Sequence, residues 1–225
     1  MTTICTLYPD LLGTYGDGGN ALALAERARR RGLDVESVSV TLGNEVPDAS
    51  LYLLGGGEDG PQRLAADLLR SSSFVQRVND GGFVLAVCAG LQILGLSFCV
   101  EGNDEFEGLG LVDVVTSRGE RRSVGELATR VEGQVLVGFE NHGGRTTLHG
   151  GVRALGMVTK GRGNDGKLDG YRTKNIWATY AHGPVLAMNP WLCDEILAAV
   201  LGVELEPLIS VADALYEERC RVLSS

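Results

Sequence analysis

The chain has 225 residues, 44% of them hydrophobic, which is enough apolar material for a full core. Its formal net charge of −9 and lack of a long basic run exclude nucleic-acid binding as an expectation. Five cysteines, odd in number and without C-x-x-C spacing, argue against a disulfide or zinc framework and, with no signal-peptide pattern at the start, for a reducing cytoplasm.

The first half alternates strand and helix. Residues 4–8 form a short apolar run that reads as a strand. Residues 11–20, Leu-Leu-Gly-Thr-Tyr-Gly-Asp-Gly-Gly-Asn, make a glycine-rich loop. Residues 21–31 carry a helical stripe ended by Gly32, with Arg29-Arg30-Arg31 placed to suit the helix dipole. Residues 35–40 alternate as a strand does, and residues 50–54 read as another strand, stopped by Gly55-Gly56-Gly57. Pro61 opens a helical segment to residue 69, and residues 74–79 add a helical turn or two. Then comes an apolar strand over 82–87. Such alternation predicts an α/β fold, a mainly parallel sheet with helices on both faces, whose sites form at the carboxyl ends of strands.

The second half reads as β-rich. Residues 110–115, 130–139 and 176–180 are expected strands, 161–170 a polar glycine-rich loop, and 191–201 and 211–223 closing helices. No repeat or linker divides the chain, so one domain over 1–225 is expected. Residues 83–100 hold no charge and approach the length of a membrane span, but Cys88, Gly90, Gln92 and Gly95 within them favour strand–turn–helix.

Cys88 ends that strand in Ala86-Val87-Cys88-Ala89-Gly90-Leu91-Gln92-Ile93. A thiol on a strand-to-helix turn is the sulfur counterpart of a serine nucleophile elbow, with helix amides favouring the thiolate. Most buried cysteines are inert small hydrophobes, so the reading needs a base. Of three histidines, His182 in Tyr180-Ala181-His182-Gly183-Pro184 and His142 in Glu140-Asn141-His142-Gly143 both follow expected strands, and spacing alone leaves them comparable. His149 sits in a polar turn. The Gly56/Gly57 region and the Ala89 amide can supply oxyanion donors. Arg122 can hold a carboxylate in a bidentate pair, although an arginine in so charged a run is by default solvated. The chain shows neither metal-ligand spacing nor a P-loop.

Together these residues resemble the class I (triad) glutamine amidotransferases, whose Cys-x-Gly-x-Gln pattern fits Cys88, Gly90 and Gln92. Within that class the chain is similar to the cobyric acid synthase-like branch, and there to the glutaminase subunits of lipid II isoglutaminyl synthases. The segments that carry this are Tyr15-Gly16-Asp17-Gly18-Gly19-Asn20, Gly55-Gly56-Gly57-Glu58-Asp59, Gly138-Phe139-Glu140-Asn141-His142-Gly143-Gly144-Arg145 and the His182 motif.

The resemblance implies a flavodoxin-like class I fold with a smaller β-rich part. It implies Cys88 and His182 as catalytic residues, and Arg122, Gln92, Gly56, Gly57 and Ala89 as substrate-binding residues. His142, Asn141 and Glu140 are secondary candidates. It also implies a Mur-ligase-like partner subunit that receives ammonia and carries ATP and magnesium, this chain itself needing no cofactor. The alternatives are another Cys/His hydrolase of peptidase type on the same scaffold, or a non-catalytic subunit.

One departure stands out. The class carries a glutamate two residues after the histidine, and here that residue is Pro184. Either another acid of the chain, such as Glu140, substitutes or the partner supplies a carboxylate. The second is the expectation, and it implies weak activity of the isolated chain.

Overall fold

A computed structural model describes residues 2–99 and 104–224. The first half forms β1 (Thr2–Leu7), α1 (Gly19–Arg29), β2 (Val35–Val40), β3 (Leu51–Leu54), α2 (Asp59–Arg70), α3 (Phe74–Asn79), β4 (Phe83–Val87) and the short α4 (Ala89–Ile93). The second half adds β5 (Ser97–Cys99), β6 (Glu105–Glu107), β7 (Val114–Val131), β8 (Gln134–Leu148), β9 (Gly156–Lys160), β10 (Leu168–Asp169), β11 (Tyr171–Arg172), β12 (Ile176–Thr179), α5 (Val185–Met188), α6 (Pro190–Leu201) and α7 (Val211–Ser224).

The main sheet runs β2-β1-β3-β4-β12-β11, parallel throughout except for the edge strand β11. Its central strands have short, wholly apolar cores. Leu51-Tyr52-Leu53-Leu54 of β3 and Ile176-Trp177-Ala178 of β12 are buried because helices cover both faces. The first five strands follow the flavodoxin-like order, whose crevice opens where neighbouring strands diverge.

Leaving β1, β3, β4 and β12 at that crevice are the glycine-rich loop, Gly55–Gly57, Cys88 and the His182 segment. The uncharged stretch is therefore β4, α4 and β5, with Val100 outside the described residues. Among those residues no helix is long and apolar enough to cross a membrane.

A second sheet, β10-β9-β7-β5-β6 with β8 paired to β7, leans over the same crevice. Sequence reading expected short strands over 110–115 and 130–139. The structure instead has one long antiparallel hairpin, its charged residues on the exposed face and Leu127, Leu136 and Val137 in the core. Positive φ at both Glu132 (45°) and Gly133 (93°) makes the tight two-residue turn that matches strand twist. The ladder slips between Arg118 and Ser123, and that irregularity carries Arg118 and Arg122 to the crevice.

The Arg29-Arg30-Arg31 run does more than suit a dipole. Arg29 and Arg30 pair with Glu26, while Arg31 joins the buried Arg27 on Asp194 of α6. Arg27 also reaches Asp213 of α7. This cluster fastens α1 to the two C-terminal helices.

Candidate active site

Cys88 sits at the end of β4 with φ 52° and ψ −104°, a conformation that L-residues adopt only under constraint. The constraint is visible. Its amide donates to the Thr179 carbonyl at 2.9 Å, and its carbonyl accepts the Gln92 amide at 3.1 Å. Gly90 lets α4 lie on the end of β3, since a Cβ there would stand 2.7 Å from the Leu54 Cβ. The thiol is 5% exposed. The helix that follows has one turn, so the arrangement at the sulfur depends on what else faces it.

His182 is that neighbour. Its backbone exchanges two hydrogen bonds with Phe139 of β8, and its fully buried ring packs between Phe139 and Tyr15. Nδ1 lies 3.2 Å from Asp17 Oδ2, which also accepts the Gly56 amide at 2.7 Å. Nε2 is buried without a nitrogen or oxygen partner, and the ring's other interaction is with the Cys88 thiol. Burial pulls the His182 pKa down, but the Asp17 and Cys88 interactions together outweigh it and push it up to about 9. The imidazole is thus an imidazolium at neutral pH, the form that stabilises a thiolate and can later give a proton to a leaving group.

The acid that faces His182 within this chain is therefore Asp17. Glu140, the acid named as a substitute, does not face His182. Glu140 is occupied by His142 Nε2 at 3.1 Å and by the Arg162 and Gly163 amides at 2.8 and 2.9 Å. Burial tends to raise its pKa, but those bonds hold it below the usual carboxylate range. Sequence reading missed Asp17 because it looked to position 184, to Glu140 and to the partner, whereas this acid lies in the glycine-rich loop 165 residues before His182. The available signal was that loop itself, where Asp17 is the one acid between Tyr15 and Asn20.

Between Cys88 and the hairpin lies a cavity of about 170 Å³, lined by Cys88, Ala89, Gly57, Glu58, Gln92, Arg122, Asn141 and His142 among others. Arg122 Nε donates to Asn141 Oδ1 at 2.6 Å and Nη2 to the Tyr15 hydroxyl at 3.2 Å, which fixes its guanidinium at the mouth. Gly57 and Ala89 reach the cavity wall. Gly56 does not serve as an oxyanion donor here, because its amide is engaged by Asp17.

Gln92 lines this cavity with its amide already engaged. Its Oε1 accepts from Gln62 at 2.9 Å and its Nε2 donates to the Tyr180 hydroxyl at 3.2 Å, so its amide braces the cavity floor. His142 stacks on Tyr180 with centroids 3.8 Å apart, and both its ring nitrogens face protein acceptors, Glu140 and the Gly144 carbonyl. It is not the base for Cys88.

A cysteine elbow, a histidine after the adjacent parallel strand and a carboxylate behind it, on a flavodoxin-like sheet, are the defining parts of a class I glutamine amidotransferase. The chain belongs to the CobB/CobQ-like glutamine amidotransferase domain family, whose model matches residues 3–190. It is 35% identical over 215 residues to the lipid II isoglutaminyl synthase (glutamine-hydrolyzing) subunit GatD of Staphylococcus aureus, covering 91% of this chain and 88% of that one. The GatD subunit of Streptococcus pneumoniae is 33% identical over 88% of this chain and 80% of its own length. Cobyric acid synthase of Pelotomaculum thermopropionicum is more distant, matching 44% of this chain and 22% of that protein at 36% identity. Among solved structures, PurLQS from Thermotoga maritima superposes with a TM-score of 0.60 at 18% identity, over 89% of this chain and 96% of that one, which establishes the shared fold.

Proposed function

We propose that this chain is the glutaminase subunit of a two-subunit amidotransferase that amidates lipid II. Cys88 sulfur attacks the side-chain amide carbon of L-glutamine while the oxyanion rests against the Gly57 and Ala89 amides. His182 gives its proton to the departing ammonia, leaving a glutamyl thioester on Cys88. A water molecule, deprotonated by His182, then attacks that thioester and releases glutamate. Asp17 holds the imidazole in the orientation and charge state both steps require. Arg122 takes the substrate α-carboxylate at the cavity mouth.

Ammonia passes to a Mur-ligase-like synthetase subunit that holds ATP and magnesium. That partner activates the α-carboxylate of D-glutamate in the lipid II stem peptide and converts it to D-isoglutamine. The work takes place in the cytoplasm, at the inner membrane face through the complex.

The observation that carries this reading is the Cys88–His182–Asp17 set assembled beside the Arg122 cavity, in a chain 35% identical to a subunit named as glutamine-hydrolyzing. Glutamate release from glutamine, measured for the chain alone and with the synthetase subunit, tests it. Activity lost in Cys88→Ser and coupled to lipid II amidation in the complex supports the proposal. A wild-type chain inactive under both conditions refutes it.

A further inference from the structure

The cavity that holds Arg122 also holds carboxylates. Glu58 and Asp59, at the start of α2, line the cavity together with Arg118, Glu120 and Arg122 of β7. Glu58 is tied to Arg122 through a single atom. The Tyr15 hydroxyl donates to Glu58 Oε1 at 2.9 Å and accepts from Arg122 Nη2 at 3.2 Å. It also accepts from Asn141 Nδ2 at 3.3 Å. A cation and a carboxylate are therefore held one hydroxyl oxygen apart at the mouth, with the Tyr15 ring resting 4.6 Å from the catalytic His182 ring.

A free amino acid presents the same spacing in reverse, its carboxylate and its ammonium carried on one carbon. A glutamine residue within a peptide carries neither charge. A site with Arg122 alone would accept any amide bearing a nearby carboxylate. The nearby acid adds a second requirement, because burying an ammonium against a guanidinium without a carboxylate partner is costly.

We propose that Glu58 is the acceptor for the substrate α-ammonium, so that Arg122, Tyr15 and Glu58 form a clamp selecting a free zwitterionic amino acid. The clamp extends the glutaminase reading and rests on it. Asp59 and Glu120 line the same cavity but neither shares the Tyr15 hydroxyl with Arg122, so the assignment falls on Glu58. Tyr15 sets the gap, and by lying on His182 it seats the head group in register with the amide at Cys88.

Alkylation of Cys88 tests this without turnover. The chloroketone analogue of L-glutamine bears both head-group charges and alkylates the sulfur with loss of chloride, whereas iodoacetamide alkylates the same sulfur and bears neither. In Glu58→Gln the chloroketone labels Cys88 with its reversible binding constant weakened about tenfold, the scale of one charge-assisted contact at an exposed edge. Iodoacetamide labels at the wild-type rate, which shows the fold and nucleophile intact. Glu58→Asp recovers part of the loss, and Asp59→Asn leaves chloroketone binding within about twofold, as expected of a solvated surface charge.

Chloroketone binding unchanged in Glu58→Gln, or equally weakened in Asp59→Asn, overturns the clamp. If wild-type Cys88 takes iodoacetamide but never the chloroketone, the glutamine reading fails first, and the clamp with it.

Discussion

Asp17→Asn removes the charge facing His182 while keeping the side-chain shape. The native imidazolium is held up from its ordinary 6.5 to about 9, a preference for the charged form of about 3 kcal/mol. That preference survives a burial that works against it, and the Asp17 hydrogen bond is the largest upward contribution. Loss of the carboxylate therefore removes about 2–3 kcal/mol from the imidazolium, roughly 30- to 150-fold in kcat if the charged form develops in the transition state. An asparagine that turns its amide nitrogen toward His182 Nδ1 also forces the wrong tautomer.

The assay is glutamate release against pH, for the isolated chain and for the complex. Wild type holds its activity until pH rises through about 9, where His182 loses its proton, and the variant loses activity at lower pH. Stability follows the same group. The folded pKa lies above the unfolded one, so the native state binds the extra proton between about 6.5 and 9. Its stabilisation is complete below about 6.5 and fades as pH rises through about 9, and Asp17→Asn flattens that slope. Wild-type kcat in the isolated variant would refute the argument. So would a deficit that disappears when the synthetase subunit is added, because the effective carboxylate would then be the partner's.

Three other substitutions probe the frame around the triad. In Gly56→Ala the new Cβ would stand 2.4 Å from His182 Cε1, so the ring must move; kcat falls about 100-fold while circular dichroism stays native. Glu140→Gln leaves the alkaline limb near 9 in place, since Glu140 does not face His182, but weakens the buried His142 contact and lowers stability by about 1–3 kcal/mol in chemical denaturation. Asp194→Ala removes the carboxylate shared by Arg27 and Arg31 and leaves Arg27 with Asp213 alone; it costs about 2 kcal/mol and lowers Tm by roughly 4–8 °C, with kcat at the permissive temperature little changed.

The parallel sheet and the elbow were legible because their signals are local. Apolar runs such as 51–54 and 83–87 end in glycine or cysteine, and strand ends in an α/β fold converge by topology alone. The hairpin was not legible at its true length. In β7 the segment Ser117-Arg118-Gly119-Glu120-Arg121-Arg122 breaks the apolar alternation, and only the β8 pairing on either side of it, through Arg118 and again from Ser123, shows one continuous strand. The three residues each of β5 and β6, and the four of α5, are too short to carry a period. Within the site, the sequence pattern marks Gln92 and Gly56, but not what their polar atoms do. Each bonds to a residue at least 30 positions away, a choice made by packing.

The proline after the histidine and the aspartate before α1 are two sides of one contact. Pro184 packs so closely on Gly19 that a Cβ there would stand 2.2 Å from its ring. Two residues on, the Leu186 amide donates to Asn20 Oδ1 at 2.9 Å. The segment that carries an acid in the wider class is here a surface clasping the start of α1, and the clasp brings the preceding loop, with Asp17, against His182. Position 184 then points at Gly19 and not at the imidazole. A glutamate returned to position 184 should accordingly fail to rescue Asp17→Asn: the double variant Asp17→Asn/Pro184→Glu is expected to keep the kcat of the single one, and recovery to wild-type kcat would show that the carboxylate site after the histidine had never been lost.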